Sequence, residues 1–221
     1  AYISSHDLQE PLRKIQAFGS RIQSKDAPQL SDQGKDYLSR MLNASARMQN
    51  LINDLLAFSR VSSRAKPYEA VNLNQVLAEV ISDLEIAVQQ SGADLQVSEL
   101  PVIQAEPTQM RQLLQNLLSN AIKFREPERS PEISVSWQPD PEHNHPETGK
   151  IQLLVQDNGI GFDEKYLDRI FNIFQRLEGR KYAGSGIGLA ICRKIAQRHG
   201  GDITAKSQIG AGTTFIVTLN R

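Results

Sequence analysis

Apolar and small side chains recur at steps of three and four residues in two runs within the first 63 residues. This spacing places them on one face of an α-helix, as a narrow seam of the kind that packs in coiled coils. A polar stretch containing Pro28, residues 24–31, separates the two runs and predicts a turn. The pattern therefore predicts a helical hairpin over residues 1–63. The seam positions are Leu8, Leu12, Ile15, Gly19 and Ile22 in the first run, and Leu38, Met41, Ser45, Met48, Ile52, Leu55 and Ser59 in the second.

A second apolar flank extends beyond this seam and is formed by Leu42, Leu51, Leu56 and Phe58. Two helices cannot cover both surfaces, because each helix of a hairpin turns only one face to its neighbour. Pairing with a second hairpin would cover the apolar surface that remains exposed. The pattern thus predicts a dimeric four-helix bundle.

The pattern changes after a polar stretch that ends in Pro67, so we place a linker at residues 64–68 and a second domain at residues 69–221. This domain mixes helical and strand periodicity and contains no internal repeat. The fold class is therefore α+β, with a helical hairpin followed by an α/β layered domain. The spacing predicts helices over 73–90, 107–124 and 187–199, strands over 94–97, 102–105, 132–137, 151–156, 202–207 and 213–219, and a hairpin loop over 138–150.

Composition narrows the functional classes. The 221 residues include 25 Lys plus Arg and 25 Asp plus Glu, so the formal net charge is zero and no nucleic-acid or membrane partner is expected. The one cysteine, Cys192, cannot form an internal disulfide, which favours a reducing compartment. No apolar run reaches the roughly 18 residues of a membrane span. We expect a cytoplasmic fragment of a longer protein, whose own membrane attachment stays open.

His6 is the first candidate for chemistry. On a helical wheel it points away from the seam residue Leu8, and a solvated histidine is the commoner interpretation of such a position taken alone. Two neighbouring residues favour a catalytic role for His6. Asp7 places a carboxylate beside the imidazole, and Pro11 interrupts the helical hydrogen bonds, which is costly unless a bend has a use.

The helix predicted over 107–124 has a polar face made by Asn116, Asn120 and Lys123, opposite a cluster of leucines. A solvated helix face is one interpretation of this arrangement. In the other, the amide oxygens bind a hard cation and the ammonium binds a phosphate. Magnesium with a nucleotide would satisfy both groups.

Two glycine-rich segments follow. Asp157 ends a strand and opens the turn 157–162, where a carboxylate can accept a hydrogen bond from an amine. Residues 184–190 lead directly into a helix, so free backbone N–H groups and the helix dipole predict an anion site. The segment lacks the lysine of a Walker motif, which disfavours a P-loop. It also does not follow a strand, which disfavours a dinucleotide-binding unit. Residues 163–183, between the two segments, are interpreted as a mobile flap.

Five segments in this order resemble the sequence boxes of sensor histidine kinases of two-component signalling. They are SSHDLQEPLR, NLLSNAIKF, DNGIGF, FNIFQRL and GSGIGLA, and they span both domains. The first is similar to kinases attached to phytochromes and related bacterial sensors. The resemblance implies a dimerisation and phosphotransfer hairpin joined to an ATP-binding sandwich of the Bergerat (GHKL ATPase) type, shared with gyrase, a heat-shock chaperone and a mismatch-repair ATPase.

The resemblance also implies a reaction. His6 would attack the γ-phosphate of ATP, with Asp7 orienting the imidazole and accepting its proton. The phosphoryl group would then pass to an aspartate of a response-regulator receiver domain. Many family members that also dephosphorylate their partner carry Thr or Asn four residues after the histidine, whereas this chain has Glu10. Strong phosphatase activity is therefore not expected.

The cofactors implied by the resemblance are ATP and magnesium. Asn116 and Asn120 would hold the metal, Lys123 the phosphates and Asp157 the adenine amine. The implied partners are a second copy of the chain, a receiver domain and an upstream sensor domain. Further pocket residues would be Gly159, Gly161, Phe174, Arg176, Gly184, Ser185, Gly186, Ile187, Gly188 and Leu189.

Two rival functions retain most of these features: a clamp ATPase of the same fold, which the helical hairpin disfavours, and a dimeric scaffold whose nucleotide pocket only changes conformation. Phosphate retained on His6 would exclude both.

Other residues have plainer interpretations. His143 and His145 are expected in a solvated loop, and His199 at a helix end where a positive charge is favourable. Core packing is expected for Cys192 and Trp137, and is an alternative for Phe162, Phe171 and Phe174.

Overall fold

The computed structural model describes residues 2–63, 67–142, 149–177, 182 and 184–221, with the backbone alone at residues 2–6, 8, 62 and 63. The chain divides into two compact units, Ala1–Ser59 and Arg60–Arg221. We call them the hairpin unit and the α/β unit. Among the described residues, no helix is both long enough and apolar enough to span a bilayer.

The predicted helical hairpin is confirmed. Helix α1 (Tyr2–Lys25) and helix α2 (Asp32–Ser63) are joined through a short 3-10 turn, Ala27–Gln29. Leu12, Leu38 and Ser45 are buried, and the Ser45 hydroxyl donates to the Leu12 carbonyl at 3.3 Å. A Cβ placed on Gly19 would lie 2.5 Å from a methyl of Leu42, so the glycine allows a close approach of the helices.

Much of the predicted seam is exposed within one chain. We call the large apolar residues of the seam that are exposed, together with Phe18, the apolar stripe. Its members are 37% to 63% exposed. Such a row of large apolar side chains is unusual on a surface that meets only water. The apolar stripe consists of Ile15, Phe18, Ile22, Met41, Met48 and Leu55.

A mixed five-stranded sheet forms the centre of the α/β unit, in the order β2-β4-β5-β7-β6, and a separate pair joins β1 and β3. Strand β2 runs parallel to β4, and the other neighbours are antiparallel. The first strand of the chain was not predicted, because its four residues carry little apolar alternation. The strands are β1 Glu69–Asn72, β2 Asp94–Val97, β3 Val102–Ala105, β4 Glu132–Pro139, β5 Lys150–Asp157, β6 Ile203–Gln208 and β7 Gly212–Asn220.

Helices α3 (Leu73–Asp83), α5 (Pro107–Lys123) and α7 (Gly188–Arg198) pack in a layer, with α5 between the other two. Leu113, Leu114, Leu117 and Leu118 of α5 are almost wholly buried and form the centre of the core. This helix-on-sheet packing confirms the predicted α+β architecture.

One helix predicted over 73–90 is two helices in the structure. Helix α3 ends at Asp83, and α4 (Glu85–Ser91) begins after Leu84. The sequence has neither Gly nor Pro at this break, so it gave no local signal. The difference lies in packing, because α3 buries four residues in the core and α4 buries none.

The predicted flap, residues 163–183, begins with a 3-10 turn, Glu164–Tyr166, and helix α6 (Leu167–Ile170). Phe171 is 5% exposed and belongs to the core, whereas Phe174 is 57% exposed. Two basic residues of the predicted flap, Arg180 and Lys181, lie outside the described residues, as do His143 and His145 of the predicted hairpin loop. Cys192 is buried as expected, but Trp137 is only half-buried, and its indole N–H donates to the Glu99 carbonyl at 3.0 Å.

Candidate functional site

Helix α5 carries three of the predicted site residues on one half-buried face. The helix begins with Pro107, whose missing N–H costs nothing at this position, and Glu106 caps it by accepting from the Thr108 N–H at 3.1 Å. Its leucines face the core, so Asn116, Asn120 and Lys123 are held on the opposite face. The polar face predicted from the spacing is present.

The three polar groups of α5 have defined contacts. The Asn116 amide nitrogen donates to the Gly188 carbonyl at 3.2 Å, and the Lys123 ammonium donates to the Asn120 amide oxygen at 3.1 Å. The ammonium also lies 4.1 Å from the centre of the Phe124 ring. Burial and, second, the charge of Arg176 lower the pKa of Lys123 to about 8.

Asp157 is the last residue of β5. Its Oδ1 atom accepts from the N–H of Gly159 at 2.9 Å and from the N–H of Thr213 at 3.3 Å. Burial raises the pKa of this carboxyl to about 6, although both N–H groups act in the opposite direction. Thr213 was missed by the sequence analysis. It reaches Asp157 because the two residues are paired in the register of β5 and β7.

The turn after Asp157 packs against the end of α5. The Ile160 N–H donates to the Phe124 carbonyl at 2.9 Å, and a Cβ on Gly159 would lie 2.4 Å from the same oxygen. Gly161 has a φ of +60°, and its Cβ would lie 2.0 Å from the Gln208 carbonyl oxygen. Glycine is needed at both positions for the backbone to fit.

The second glycine-rich segment, residues 184–190, also borders the polar face of α5. A Cβ on Gly184 would lie 3.3 Å from the Lys123 ammonium, and α7 begins at Gly188 beside Asn116. The Ser185 hydroxyl accepts from the Ile187 N–H at 3.2 Å. These contacts place Gly188, the first residue of α7, next to the Asn116 amide and Gly184 next to the Lys123 ammonium, and Leu189 follows Gly188 in the same helix. Ile187 is fully buried, so it would meet a ligand only through its backbone.

Phe174 and Arg176 join the glycine-rich segment to the flap. The Phe174 N–H donates to the Gly186 carbonyl at 3.0 Å, and Phe174 has a φ of +64°, rare for a bulky residue. The guanidinium of Arg176 donates to the Tyr182 carbonyl. The structure thus places the predicted site residues of the α/β unit along the polar face of α5 and in the neighbouring turns and flap.

The two predicted catalytic residues belong to the hairpin unit. The His6 backbone lies in α1, and its side chain is outside the described part of the chain. Asp7 follows in the same helix and is exposed.

The chemistry of the donor set fits a magnesium nucleotide. The Asn116 amide nitrogen is held by the Gly188 carbonyl at 3.2 Å, and the amide oxygen is a ligand of the kind that a hard cation takes. Magnesium prefers oxygen ligands and commonly takes one or two from the protein and the others from phosphates and water. The N-terminal N–H groups of α7 and the Lys123 ammonium supply positive charge for phosphate.

Two family models match the chain. Residues 2–64 match the His Kinase A (phospho-acceptor) domain, and residues 105–221 match the histidine kinase-, DNA gyrase B-, and HSP90-like ATPase. Together they cover both units.

Curated relatives align along nearly the whole chain. Cyanobacterial phytochrome A of Nostoc sp. is 38% identical over 99% of this chain and 28% of its own length. The methanogenesis regulatory histidine kinase FilI of Methanothrix harundinacea is 32% identical over 99% of this chain and 24% of its own length. The chain therefore spans less than a third of the length of these relatives.

Solved structures share the fold. Full-length ShkA in complex with AMPPNP has a TM-score of 0.72 at 22% identity and aligns over 99% of this chain and 44% of its own. ThkA in complex with the response regulator protein TrrA has a TM-score of 0.65 at 24% identity over 99% of this chain and 60% of its own. With both domain models matched in order, this chain belongs to the sensor histidine kinases, with a phosphoacceptor domain followed by an ATPase domain.

Proposed function

We propose that the chain binds ATP with magnesium, transfers the γ-phosphoryl group to His6, and passes it to an aspartate of a response-regulator receiver domain. The observation that carries this proposal is that Asn116, Lys123, Asp157 and the start of α7 lie along the C-terminal half of α5 and the turn that packs against its end. Family membership supplies the reaction class.

Each group has a role in nucleotide binding. Asp157 accepts a hydrogen bond from the adenine amine, because its Oδ1 is already held by two backbone N–H groups and its second oxygen can face the base. Lys123 and the N-terminal N–H groups of α7 bind the phosphates. Asn116 and Asn120 hold magnesium, which supplies charge neutralisation at the phosphates. Phe174 and Arg176 lie at the edge of the glycine-rich segment, where they border the bound triphosphate.

In the transfer step a ring nitrogen of His6 attacks the γ-phosphorus. A nitrogen–phosphorus bond forms, the bond from phosphorus to the β,γ-bridging oxygen breaks, and ADP leaves with that electron pair. Asp7 is adjacent in α1, orients the imidazole and accepts its proton. The phosphoryl group then moves to a receiver aspartate, which restores His6.

A homodimer fits the surface of the hairpin unit. The apolar stripe exposes six large side chains, and a second copy of the hairpin would bury them as a four-helix bundle. The receiver domain as phosphoryl acceptor is supported by family membership and by the likeness to ThkA, whose structure was solved with a response regulator. An upstream sensor domain and a cytoplasmic location complete the proposal.

Intact-mass analysis of the full chain with magnesium and ATP tests the proposal. We expect one added phosphoryl group that is stable in base, is lost in acid, and is absent from His6→Gln. ATP binding by His6→Gln must remain equal to that of the unsubstituted chain, which makes it a matched control. ATP bound without any adduct, in a dimeric chain, would overturn the kinase assignment and favour the nucleotide-dependent scaffold.

A further inference from the structure

Arg129 lies in the connection between α5 and β4 and is not itself one of the residues assigned to the nucleotide site. Its guanidinium Nη2 donates to the carbonyl of Asn158, to that of Gly159 at 3.5 Å and to that of Gly210 at 3.2 Å. Arginine suits such a contact, because its planar, permanently charged head carries several donors in fixed directions.

These three carbonyls belong to two separate segments. Asn158 and Gly159 open the turn after β5, and Gly210 is in the turn that joins β6 to β7, residues 208–212. The turns also meet directly, since the Gly210 N–H donates to the Ile160 carbonyl at 2.7 Å. Arg129 therefore ties together two turns that are about 50 residues apart in the sequence.

The same two segments hold the Asp157 carboxylate. One N–H donor to Oδ1 is Gly159, whose own carbonyl receives Arg129, and the other is Thr213, which follows the turn that contains Gly210. The fit is close, because a Cβ on Gly212 would lie 2.0 Å from the Asp157 carbonyl oxygen. A shift of either turn would move one N–H and rotate the carboxylate.

We infer that Arg129 is a positioning residue for adenine selection: by tying the two turns together it fixes the direction of the Asp157 carboxylate without touching the nucleotide. The inference rests on the proposed function, in which Asp157 binds the adenine amine. It gives this exposed arginine a role beyond surface charge, since the acceptors described for it are backbone carbonyls.

The test compares two nucleotides on the full chain: ATP, and the purine ribonucleoside triphosphate that lacks the 6-amino group. Arg129→Ala is expected to weaken ATP binding about three- to tenfold and to leave the affinity for the analogue nearly unchanged, since one oriented, charge-assisted hydrogen bond is lost. The preference for ATP over the analogue should therefore fall by that factor. Arg129→Lys keeps the positive charge but loses the planar guanidinium with its donors in fixed directions. We therefore expect an intermediate preference for ATP over the analogue.

Arg125 provides a matched control. It lies in the same connection, and its guanidinium makes a local contact with the Ile122 carbonyl at 3.5 Å. Arg125→Ala should leave the nucleotide preference unchanged. A merely structural role for Arg129 would weaken both nucleotides by the same factor, and that result would overturn the inference. Thermal unfolding of each variant shows that binding is measured on folded protein, and Arg129→Gln replaces the alanine variant if it does not fold.

Asp157→Ala tests the adenine assignment separately from the positioning role of Arg129, because alanine leaves no side-chain acceptor for the amine. If this variant loses the preference for ATP and Arg129→Ala does not, the positioning role is wrong and the adenine site stands. If Asp157→Ala keeps the preference, the adenine assignment of Asp157 is wrong and the inference falls with it.

Discussion

Asp157 combines two properties that oppose each other. In the proposed adenine site the charged carboxylate is the stronger acceptor for an amine, yet burial disfavours the charge and raises the pKa of Asp157 to about 6. Its neutral form is therefore stabilised relative to an exposed carboxyl. This is a cost of function, because folding keeps a partly desolvated anion at neutral pH.

We expect ATP affinity to fall as the pH drops through about 6, because protonation of Asp157 removes an acceptor for the adenine amine. Equilibrium binding of ATP between pH 5 and pH 8 measures this. Asp157→Asn serves as the control, since it keeps the titration of the nucleotide's own phosphates and lacks the carboxyl. The difference between the two profiles should show the midpoint near pH 6, and identical profiles would contradict the prediction.

His199 shows how burial changes a residue that the sequence placed at a helix end. It does cap α7, but burial lowers its pKa, so the ring is neutral. Its Nδ1 contacts the Ile195 carbonyl at 2.8 Å, and its Nε2 accepts from the Glu106 N–H at 3.2 Å. The expectation of a favourable positive charge was wrong, since a protonated ring would place a second donor against the Glu106 N–H.

At the scale of elements, this neutral ring joins the start of α5 to the end of α7. Tyr68, just before β1, adds a third segment: its ring stacks on His199 with centroids 4.7 Å apart, and its hydroxyl donates to the Arg198 carbonyl at 2.6 Å. The last turn of α2 is held nearby, because the Val61 carbonyl accepts from Gln109 at 3.1 Å and from Arg198 at 3.0 Å. All of these residues belong to the α/β unit.

Tyr68→Phe should lower the free energy of unfolding of the α/β unit by about 1 kcal/mol through the lost hydroxyl contact, and Tyr68→Ala by about 2 kcal/mol because stacking is lost as well. Trp137 is the single tryptophan of the sequence, so its fluorescence in urea follows this unit. Tyr37→Phe is the control, because Tyr37 is an exposed residue of the hairpin unit. Equal stability of all the variants would show that Tyr68 does not hold the start of β1.

Helix α5 explains why sequence analysis succeeded locally. Its leucines and its polar residues separate at a period of 3.6, and Pro107 marks its start, so both the helix and its polar face could be predicted from spacing alone. The break at Leu84 could not be predicted, because it depends on where the core ends. Strand β1 was missed for a similar reason, since pairing with β3 defines it.

At the scale of the whole molecule, the apolar stripe is the feature that a single chain leaves uncovered. Phe18, at 63%, is its most exposed member. Burying six such side chains in a second hairpin removes enough apolar surface to favour association, at about 25 cal/mol for each Å². A monomer would leave the stripe in water.

Phe18→Glu should therefore convert a dimer to a monomer, because it places a charge in the proposed dimer core. Sedimentation velocity at several concentrations measures the change. Ile86→Glu is a suitable control, since Ile86 is 70% exposed in the α/β unit and outside the stripe. A dimer that survives Phe18→Glu, or that is lost equally in the control, would argue for another interface.

The sequence by itself determined the helical hairpin, the polar face of α5 and the two glycine-rich turns, because each depends on residue types at fixed short spacings. The order of its five boxes was sufficient to indicate the family. Only the tertiary structure decided which groups surround Asp157. Thr213 reaches it through the register of β5 and β7, and Arg129 acts on it through backbone carbonyls of two distant turns. Carbonyl positions and strand register follow from the whole packed fold, and no local pattern of side chains encodes them.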